Sequence, residues 1–194
     1  MGNMPPKAKF TREQITKAAL EIVRTDNFGN LTARALAKKL GSSSCPIFTV
    51  FENMEEVQQA VLEAVRDVYK GYVTKGLSES PAFKGVGTQY ILFAIKEPHL
   101  FQILFMREKE EPLEIDNVLP AIEESYDQIL GSITAEYQIA EKDAKKLYRH
   151  LWIYTHGIAS LCATKMCHFT SKEISEMMTE VFISLLKNKG GSKR

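Results

Sequence analysis

The apolar residues of this chain recur at helical spacing along almost its whole length, which constrains the fold more than any other feature. One stripe of about five turns runs through residues 57–72. A second stripe follows near the C-terminus, with nearly unbroken i, i+3, i+4 spacing at Ile174, Met177, Met178, Val181, Phe182 and Leu185. No segment shows the alternation of a β-strand. The pattern predicts an all-α protein of about nine helices.

Capping and stop signals divide the pattern into helices. Thr11 with Gln14, Asn53 with Glu56 and Thr170 with Glu173 each fit a capping box at a helix start. Thr32 is expected to cap a short helix that stops at Gly41. The predicted helices cover residues 11–26, 32–41, 45–51, 53–75, 81–96, 98–108, 117–138 and 141–166, with a last one from 170 and a disordered tail over 188–194.

The predicted architecture is an N-terminal three-helix head, residues 1–53, with a helix-turn-helix. It is followed by a larger helical body, residues 54–194, for ligand binding and dimerisation. Charge is uneven between the two, since residues 1–50 carry eight Lys or Arg against three acids while the whole chain has a formal net charge of +1. A basic head on a mildly acidic body is what a nucleic-acid contact at one end would produce, although a short window can also gather charge by chance.

Other classes of protein are less compatible with the sequence. The longest apolar runs, such as residues 90–95, are far shorter than the roughly 18–20 residues of a membrane span. Three cysteines without framework spacing favour a reducing compartment, so we expect a soluble cytoplasmic protein without a membrane contact. No nucleophile elbow, phosphate-binding glycine loop, HExxH or dinucleotide fingerprint is found, so an enzyme is not expected.

The cysteines and histidines near the C-terminus do not suggest a metal site. Cys162 and Cys167 are five residues apart, and His150 and His156 are six apart, so neither pair aligns on one helical face. No cofactor or metal is expected. Free thiols are the favoured interpretation, and redox sensing is left open.

The segment "LTARALAKKLGSSSCPIFTVFENMEEV", residues 31–57, resembles the TetR/AcrR family of bacterial transcriptional regulators. The stretch "LWIYTHGIASL", residues 151–161, is similar to the Trp…His-Gly region of one branch of that family. The resemblance implies a homodimer in which each subunit places its third helix in the major groove of an operator. It also implies a body that binds a small molecule and releases the DNA.

The recognition segment, residues 45–51, departs from the family pattern because it contains no Arg, Lys, Asn or Gln. Phe48 replaces a common Tyr, and Met54 replaces a Lys common at the start of the next helix. Backbone amides at helix starts and nearby cations would therefore bind phosphates, and apolar side chains would read thymine methyl groups. The predicted DNA-binding residues are Lys7, Lys9, Thr32, Arg34, Ser43, Ser44, Pro46, Phe48 and Thr49. In the alternative, Phe48 and Val50 simply pack and the head no longer reads DNA.

The body is predicted to hold an effector site and a dimer face. Its aromatic residues indicate either ordinary core or a pocket for an apolar or aromatic molecule, with a few polar groups to orient it. The candidate effector contacts are Tyr90, Phe93, Phe101, Phe105, Tyr126, Trp152 and His156. The candidate dimer contacts are Gly157, Ser160, Thr164, Met177, Val181 and Leu185.

Two functions remain open. The first is a ligand-responsive regulator, by default a repressor released from a palindromic operator. The second is a helical small-molecule or protein-binding module that has lost specific DNA recognition.

Overall fold

A computed structural model describes residues 8–108 and 111–190, with side chains up to Lys187. Within these ranges the chain forms nine α-helices and two short 3-10 turns, and it contains no strand. The all-α prediction is confirmed. The helices are α1 (Arg12–Thr25), α2 (Ala33–Lys39), α3 (Met54–Leu77), α4 (Ala82–Lys96), α5 (Pro98–Phe105), α6 (Ile115–Ile122), α7 (Tyr126–Tyr137), α8 (Glu141–Ala163) and α9 (Ser171–Gly190), and the 3-10 turns are Phe28–Asn30 and Ile47–Thr49.

The capping boxes at the two ends of the chain are confirmed. At α1 the Thr11 hydroxyl accepts from the amide of Gln14 at 3.2 Å, and the Gln14 side chain accepts from the amide of Thr11 at 2.9 Å. At α9 the amide of Glu173 donates to the Thr170 hydroxyl at 3.2 Å, and the Glu173 carboxylate accepts from the amide of Thr170 at 2.7 Å. Each box satisfies two amides that a helix start leaves without partners.

The box expected at the start of α3 forms only in part. Asn53 accepts from the amide of Glu56 at 2.8 Å as predicted. The Glu56 carboxylate, however, accepts from the amide of Glu52 at 2.6 Å and from the guanidinium of Arg12 at 2.6 Å. The charged guanidinium of Arg12, on α1, forms a stronger hydrogen bond with the Glu56 carboxylate than the neutral amide of Asn53 would form.

The helix count agrees with the prediction, but two members differ. Residues 45–51 form a 3-10 turn rather than a regular helix. The single helix predicted over residues 117–138 is two helices, α6 and α7, separated at 123–125. The break is stabilised by Glu123, whose carboxylate accepts from the amide of Ser125 at 3.0 Å. At the C-terminus α9 extends to Gly190, so residues 188–190 are helical instead of disordered, and the rest of the predicted tail lies outside the described residues.

The chain divides into two compact units. Unit 1 comprises the described residues up to Tyr69 together with His99–Arg107, and unit 2 comprises Lys70–Pro98 together with the described residues from Glu108 onward. The buried side chains of unit 1 come from α1, α2, the second 3-10 turn, the first half of α3, α5 and the residues Leu31 and Phe51 just after the two 3-10 turns: Ile15, Ala19, Val23, Leu31, Leu36, Ala37, Ile47, Phe51, Val57, Ala60, Val61, Val65, Tyr69, Leu100, Phe101 and Ile103.

Unit 2 is built around α4 and α8, which pack along each other, with α7 against both and α9 against α8. Two glycines allow the end of α3 to approach the start of α4 closely. A Cβ added to Gly85 would lie 2.3 Å from the carbonyl oxygen of Gly76, and one added to Gly76 would lie 2.6 Å from the Cα of Val86. Only residues without a side chain fit this contact between backbones. No helix in the ranges described is both long enough and apolar enough to span a membrane.

Candidate functional site

The first part of the candidate DNA-binding surface is the start of α2. Thr32 is its N-cap, and the Thr32 hydroxyl accepts from the amide of Ala35 at 3.2 Å. The cap therefore leaves the amides of the first two helical residues, Ala33 and Arg34, for an external acceptor. The side chains of Thr32 and Arg34 are both exposed, so a cation lies next to these amides.

The turn after α2 depends on Gly41. Its φ of +60° lies in the left-handed region that favours glycine, and it allows the amide of Ser42 to donate to the carbonyl of Ala37 at 3.0 Å. The Ser42 hydroxyl accepts from the ammonium of Lys9 at 2.9 Å, which fixes the leading arm to this turn. Lys7, the other predicted arm residue, lies outside the described residues.

The recognition segment is a 3-10 turn with one exposed aromatic ring, and the prediction of a regular helix over residues 45–51 is wrong. The Thr49 hydroxyl donates at 2.7 Å to the carbonyl of Pro46, which is the carbonyl that the amide of Val50 would use in an α-helix. The amide of Val50 donates instead to Ile47 at 3.1 Å.

The turn also determines which side chains face solvent. Ile47 and Phe51 are buried, whereas Phe48 is 43% exposed. Thr49 and Ser43 are exposed, and Ser44 and Pro46 are half-buried. Pro46 has no amide hydrogen, so this turn offers fewer donors to a phosphate than a regular helix start would.

Four cations of unit 1 fall into two groups. Arg12 lies 4.3 Å from the ring centroid of Phe51 and pairs with Glu56, which identifies it as part of the packing. Lys39 pairs with Glu21 at 2.9 Å and holds the pKa of that carboxyl below its usual value. Arg34 and Lys38 are exposed and form no ion pair within the part of the chain that the structure describes. Both lie on α2, the helix whose first amides are available to an external anion.

The candidate effector site in unit 2 contains a hydrogen-bonded cluster in which Tyr90 is buried and Trp152 and His156 are half-buried. The phenolic oxygen of Tyr90, on α4, lies 2.9 Å from Nδ1 of His156, on α8. The indole N–H of Trp152 donates toward Tyr90, and the rings of Trp152 and His156 stack with centroids 5.2 Å apart. Burial raises the pKa of Tyr90 and lowers that of His156, so both groups are neutral.

A second aromatic group lies beside this cluster. Tyr126, on α7, stacks on Tyr148 at 5.6 Å, and Phe83 meets Tyr148 edge-on at 5.5 Å. Burial raises the pKa of Tyr148, and the nearby carboxylate of Glu123 raises it further. Glu123 also raises the pKa of Tyr90, so one acidic side chain acts on both tyrosines.

Sequence reasoning identified Tyr126 but missed Glu123 and Tyr148. A glutamate is rarely buried, and Glu123 was placed inside a continuous helix, so no pattern pointed to its position at a break. Tyr148 belongs to the apolar face of α8, where it is 5% exposed, and the spacing of that face was the available signal.

The three phenylalanines predicted to contact an effector are all buried or half-buried. One belongs to unit 2 and two belong to unit 1. Phe93 is buried in unit 2 and lies 5.2 Å from the ring of Tyr72. Phe101 and Phe105 belong to unit 1, where their rings are 5.2 Å apart and Phe105 meets Tyr69 at 5.1 Å. A role in effector binding stays a prediction for all three.

The candidate dimer face on α8 is open. Gly157 is exposed, and a Cβ built on it would have nothing within 4 Å. Thr164 is exposed and its hydroxyl donates to the carbonyl of Ser160 at 2.7 Å. The structure adds Ile153, one turn before Gly157, which is 47% exposed. A large apolar side chain and a glycine gap therefore lie side by side on the outer face of this helix.

Helix α9 is incompletely covered within the subunit. No side chain that the structure describes in α9, up to Lys187, is fully buried. Met178 accepts from the hydroxyl of Thr155 at 3.4 Å, and Phe182 lies 4.9 Å from the ring of Tyr137, so these two residues face the subunit's own helices. The predicted contacts Met177, Val181 and Leu185 are half-buried.

A comparison with known protein families finds a match in the second half of the chain. The family model "Tetracyclin repressor-like, C-terminal domain" matches residues 83–184. This range runs from α4 into α9 and includes the cluster around Tyr90 and the outer face of α8. A search of the curated proteins found no match.

Proposed function

The chain belongs to the TetR-like family of transcriptional regulators, and from that premise we propose that it is a ligand-responsive DNA-binding regulator. It acts in the cytoplasm as a homodimer that represses transcription from a palindromic operator. A small apolar or aromatic molecule, bound in unit 2, releases the dimer from DNA.

The DNA-binding proposal is supported by the exposed groups of unit 1. Arg34 and Lys38 project from α2 without an ion pair in the ranges described, and the first amides of α2 lie beside Arg34. Phosphate contacts provide most of the affinity of a protein for DNA, and amides and cations are both suitable donors.

Base recognition is assigned to apolar contact. Phe48 is the most exposed aromatic side chain of the turn, and the hydroxyl of Thr49 is already engaged with Pro46. Neither side chain offers a bidentate hydrogen-bonding group, whereas a ring and a methyl group suit the C5-methyl of thymine. The operator is expected to be rich in A·T pairs at the contacted positions.

The effector proposal is supported by the cluster of Tyr90, Trp152 and His156. A site with aromatic walls and a few oriented polar groups is typical for a small molecule. The buried carboxylate of Glu123 acts on both neighbouring tyrosines, and it disfavours an anionic ligand. Trp152 is the only tryptophan of the chain, so its fluorescence reports on this cluster alone.

The observation that carries the proposal is that unit 1 exposes both the Phe48 ring and the cations Arg34 and Lys38, which form no ion pair in the ranges described, in a chain whose C-terminal half matches a regulator family. The test is selection of duplexes from a random pool by the purified full-length protein at low salt. We expect a palindrome with A·T-rich half-sites. Failure to enrich any palindrome would defeat the repressor assignment.

A second candidate function follows from the same segment. Residues 45–51 contain no Arg, Lys, Asn or Gln, so a helical binding module that has lost specific DNA recognition is the alternative. It predicts that Trp152 fluorescence responds to apolar or aromatic compounds while the duplex selection yields nothing. The two measurements together separate the candidates.

A further inference from the structure

The C-terminal end of α8 folds back so that one cysteine returns toward another. Lys165 adopts a left-handed φ of +56° and its amide donates to the carbonyl of Cys162 at 3.0 Å. The amides of Met166 and Cys167 both donate to the carbonyl of Leu161, at 3.0 Å and 3.3 Å. This is the hydrogen-bonding pattern of a Schellman motif with one additional bond.

These bonds limit the separation of the two cysteines. The carbonyl oxygen of Leu161 and the Cα of Cys162 belong to the same peptide unit. The hydrogen bond of 3.3 Å from the Cys167 amide to that oxygen, together with standard bond lengths, keeps the Cα atoms of Cys162 and Cys167 within about 7.6 Å. A disulfide joins Cα atoms roughly 4.4–6.8 Å apart, so a small adjustment at most brings the pair into range. The thiols are also close enough to interact electrostatically, since Cys167 contributes to the raised pKa of Cys162.

The exposure of the two thiols differs. Cys167 is exposed, whereas Cys162 is half-buried, and both are free. An oxidant in solution therefore reaches Cys167 first. Burial raises the pKa of Cys162, which keeps that sulfur protonated and less reactive toward an external oxidant. Such an unequal pair suits a reaction in two steps, with one sulfur attacked and the other resolving.

We propose that Cys162 and Cys167 form a redox-active pair that a peroxide converts into an intramolecular disulfide at the end of α8. The Cys167 thiolate attacks one oxygen of hydrogen peroxide, the O–O bond breaks, and Cys167 becomes a sulfenic acid as hydroxide leaves and takes a proton to form water. The sulfur of Cys162 then attacks the sulfenic sulfur, the S–O bond breaks, and a second water leaves with the proton of Cys162. Two thiols lose two electrons, and one peroxide gains them.

The test uses the full-length protein exposed to one equivalent of hydrogen peroxide, followed by thiol counting and peptide mapping. We expect the two C-terminal thiols to disappear together, a linked peptide containing Cys162 and Cys167, and recovery with dithiothreitol. Cys45 is also exposed and would react with peroxide on its own, so the experiment is repeated in a Cys45→Ser background, in which the same linked peptide is expected.

Single variants define the order of events. Cys162→Ser is expected to accumulate a sulfenic acid at Cys167 that dimedone traps, and Cys167→Ser to slow oxidation of Cys162 at least tenfold. A wild-type protein that yields only over-oxidised Cys167, or only disulfides between subunits on a non-reducing gel, would overturn the proposal. None of these measurements depends on DNA or effector binding, so their outcome is independent of the proposed function.

Discussion

Tyr90 and His156 join α4 to α8 through a hydrogen bond of 2.9 Å between the phenolic oxygen and Nδ1. The indole N–H of Trp152 can only donate, so the Tyr90 oxygen accepts from it. The Tyr90 hydroxyl either donates to Nδ1 or accepts from it, depending on the histidine tautomer. Burial lowers the pKa of His156, so the relay formed by these three side chains contains a neutral imidazole.

The first prediction concerns the pH dependence of stability. Burial holds the pKa of His156 below its ordinary value of 6.5. At pH values between the folded-state pKa and 6.5, His156 binds more protons in the unfolded chain than in the folded protein. Its contribution to stability is therefore complete above pH 6.5 and is lost as the pH falls toward the folded-state pKa. We expect the melting temperature to decrease more steeply from about pH 7 to about pH 5 in the wild type than in His156→Gln.

The control for this measurement lies on the same helix. His150 is exposed on α8, so His150→Gln should retain the wild-type dependence on pH. Parallel profiles for the wild type and His156→Gln would show that the relay tolerates an imidazolium, contrary to the neutral assignment.

The second prediction concerns the contact between α3 and α4. A methyl group on Gly85 would lie 2.3 Å from the backbone oxygen of Gly76, which cannot yield as a flexible side chain would. Gly85→Ala should therefore destabilise the protein by about 1–3 kcal/mol, the usual cost of an overpacked core. Urea denaturation followed by circular dichroism gives the free energy of unfolding.

Gly71 provides the matched control for that experiment. It lies in α3, is exposed, and a Cβ built on it has nothing within 4 Å. Gly71→Ala should raise stability by up to about 1 kcal/mol, because alanine favours the helix without a clash. Equal effects from the two substitutions would mean that helix propensity outweighs the close contact.

The third prediction separates phosphate contacts from base recognition. If Arg34 contacts a phosphate, Arg34→Ala should weaken binding to all duplexes alike and reduce the slope of log K against log salt by about 1. Phe48→Ala should instead weaken binding to the selected operator by up to about 3 kcal/mol, the scale for burying an apolar side chain, with an unchanged salt slope. Fluorescence anisotropy with operator and scrambled duplexes measures both quantities.

Lys84 on α4 supplies the charge control, since it is exposed and belongs to unit 2. Lys84→Ala changes the net charge as much as Arg34→Ala does, but it should leave the salt slope near that of the wild type. If the Arg34 and Lys84 variants behave alike, net charge rather than a local contact explains the binding.

The sequence predicted the fold where local chemistry decides the outcome. Thr11 with Gln14 and Thr170 with Glu173 act through short-range hydrogen bonds, so their pattern alone located the starts of α1 and α9. The i, i+4, i+8 spacing of Ile15, Ala19 and Val23 in α1 is equally local, and all three are buried.

The prediction was wrong where a side chain competes with the backbone. The hydroxyl of Thr49 takes the carbonyl of Pro46, and the carboxylate of Glu123 takes the amide of Ser125. Both bonds lie where helical pairing ends, at residues whose spacing still fits a helix. The position of Glu123 beside Tyr148 depends on contacts between distant segments, which periodicity does not contain.

The last prediction tests the dimer face on α8, and it rests on the open space at one glycine. Gly157 has no neighbour within 4 Å of a built Cβ, so a larger residue there does not disturb the subunit itself. In a dimer packed through Ile153 and Gly157, the Gly157→Glu side chain would instead enter the interface with an unpaired charge. We expect the Gly157→Glu substitution to raise the dimer dissociation constant at least tenfold, about 1.4 kcal/mol, as measured by sedimentation equilibrium.

Gly131→Glu is the matched control for this measurement. Gly131 is also an exposed helical glycine with no neighbour within 4 Å of a built Cβ, but it lies on α7. A Gly157→Glu variant that dimerises as tightly as Gly131→Glu would place the interface elsewhere.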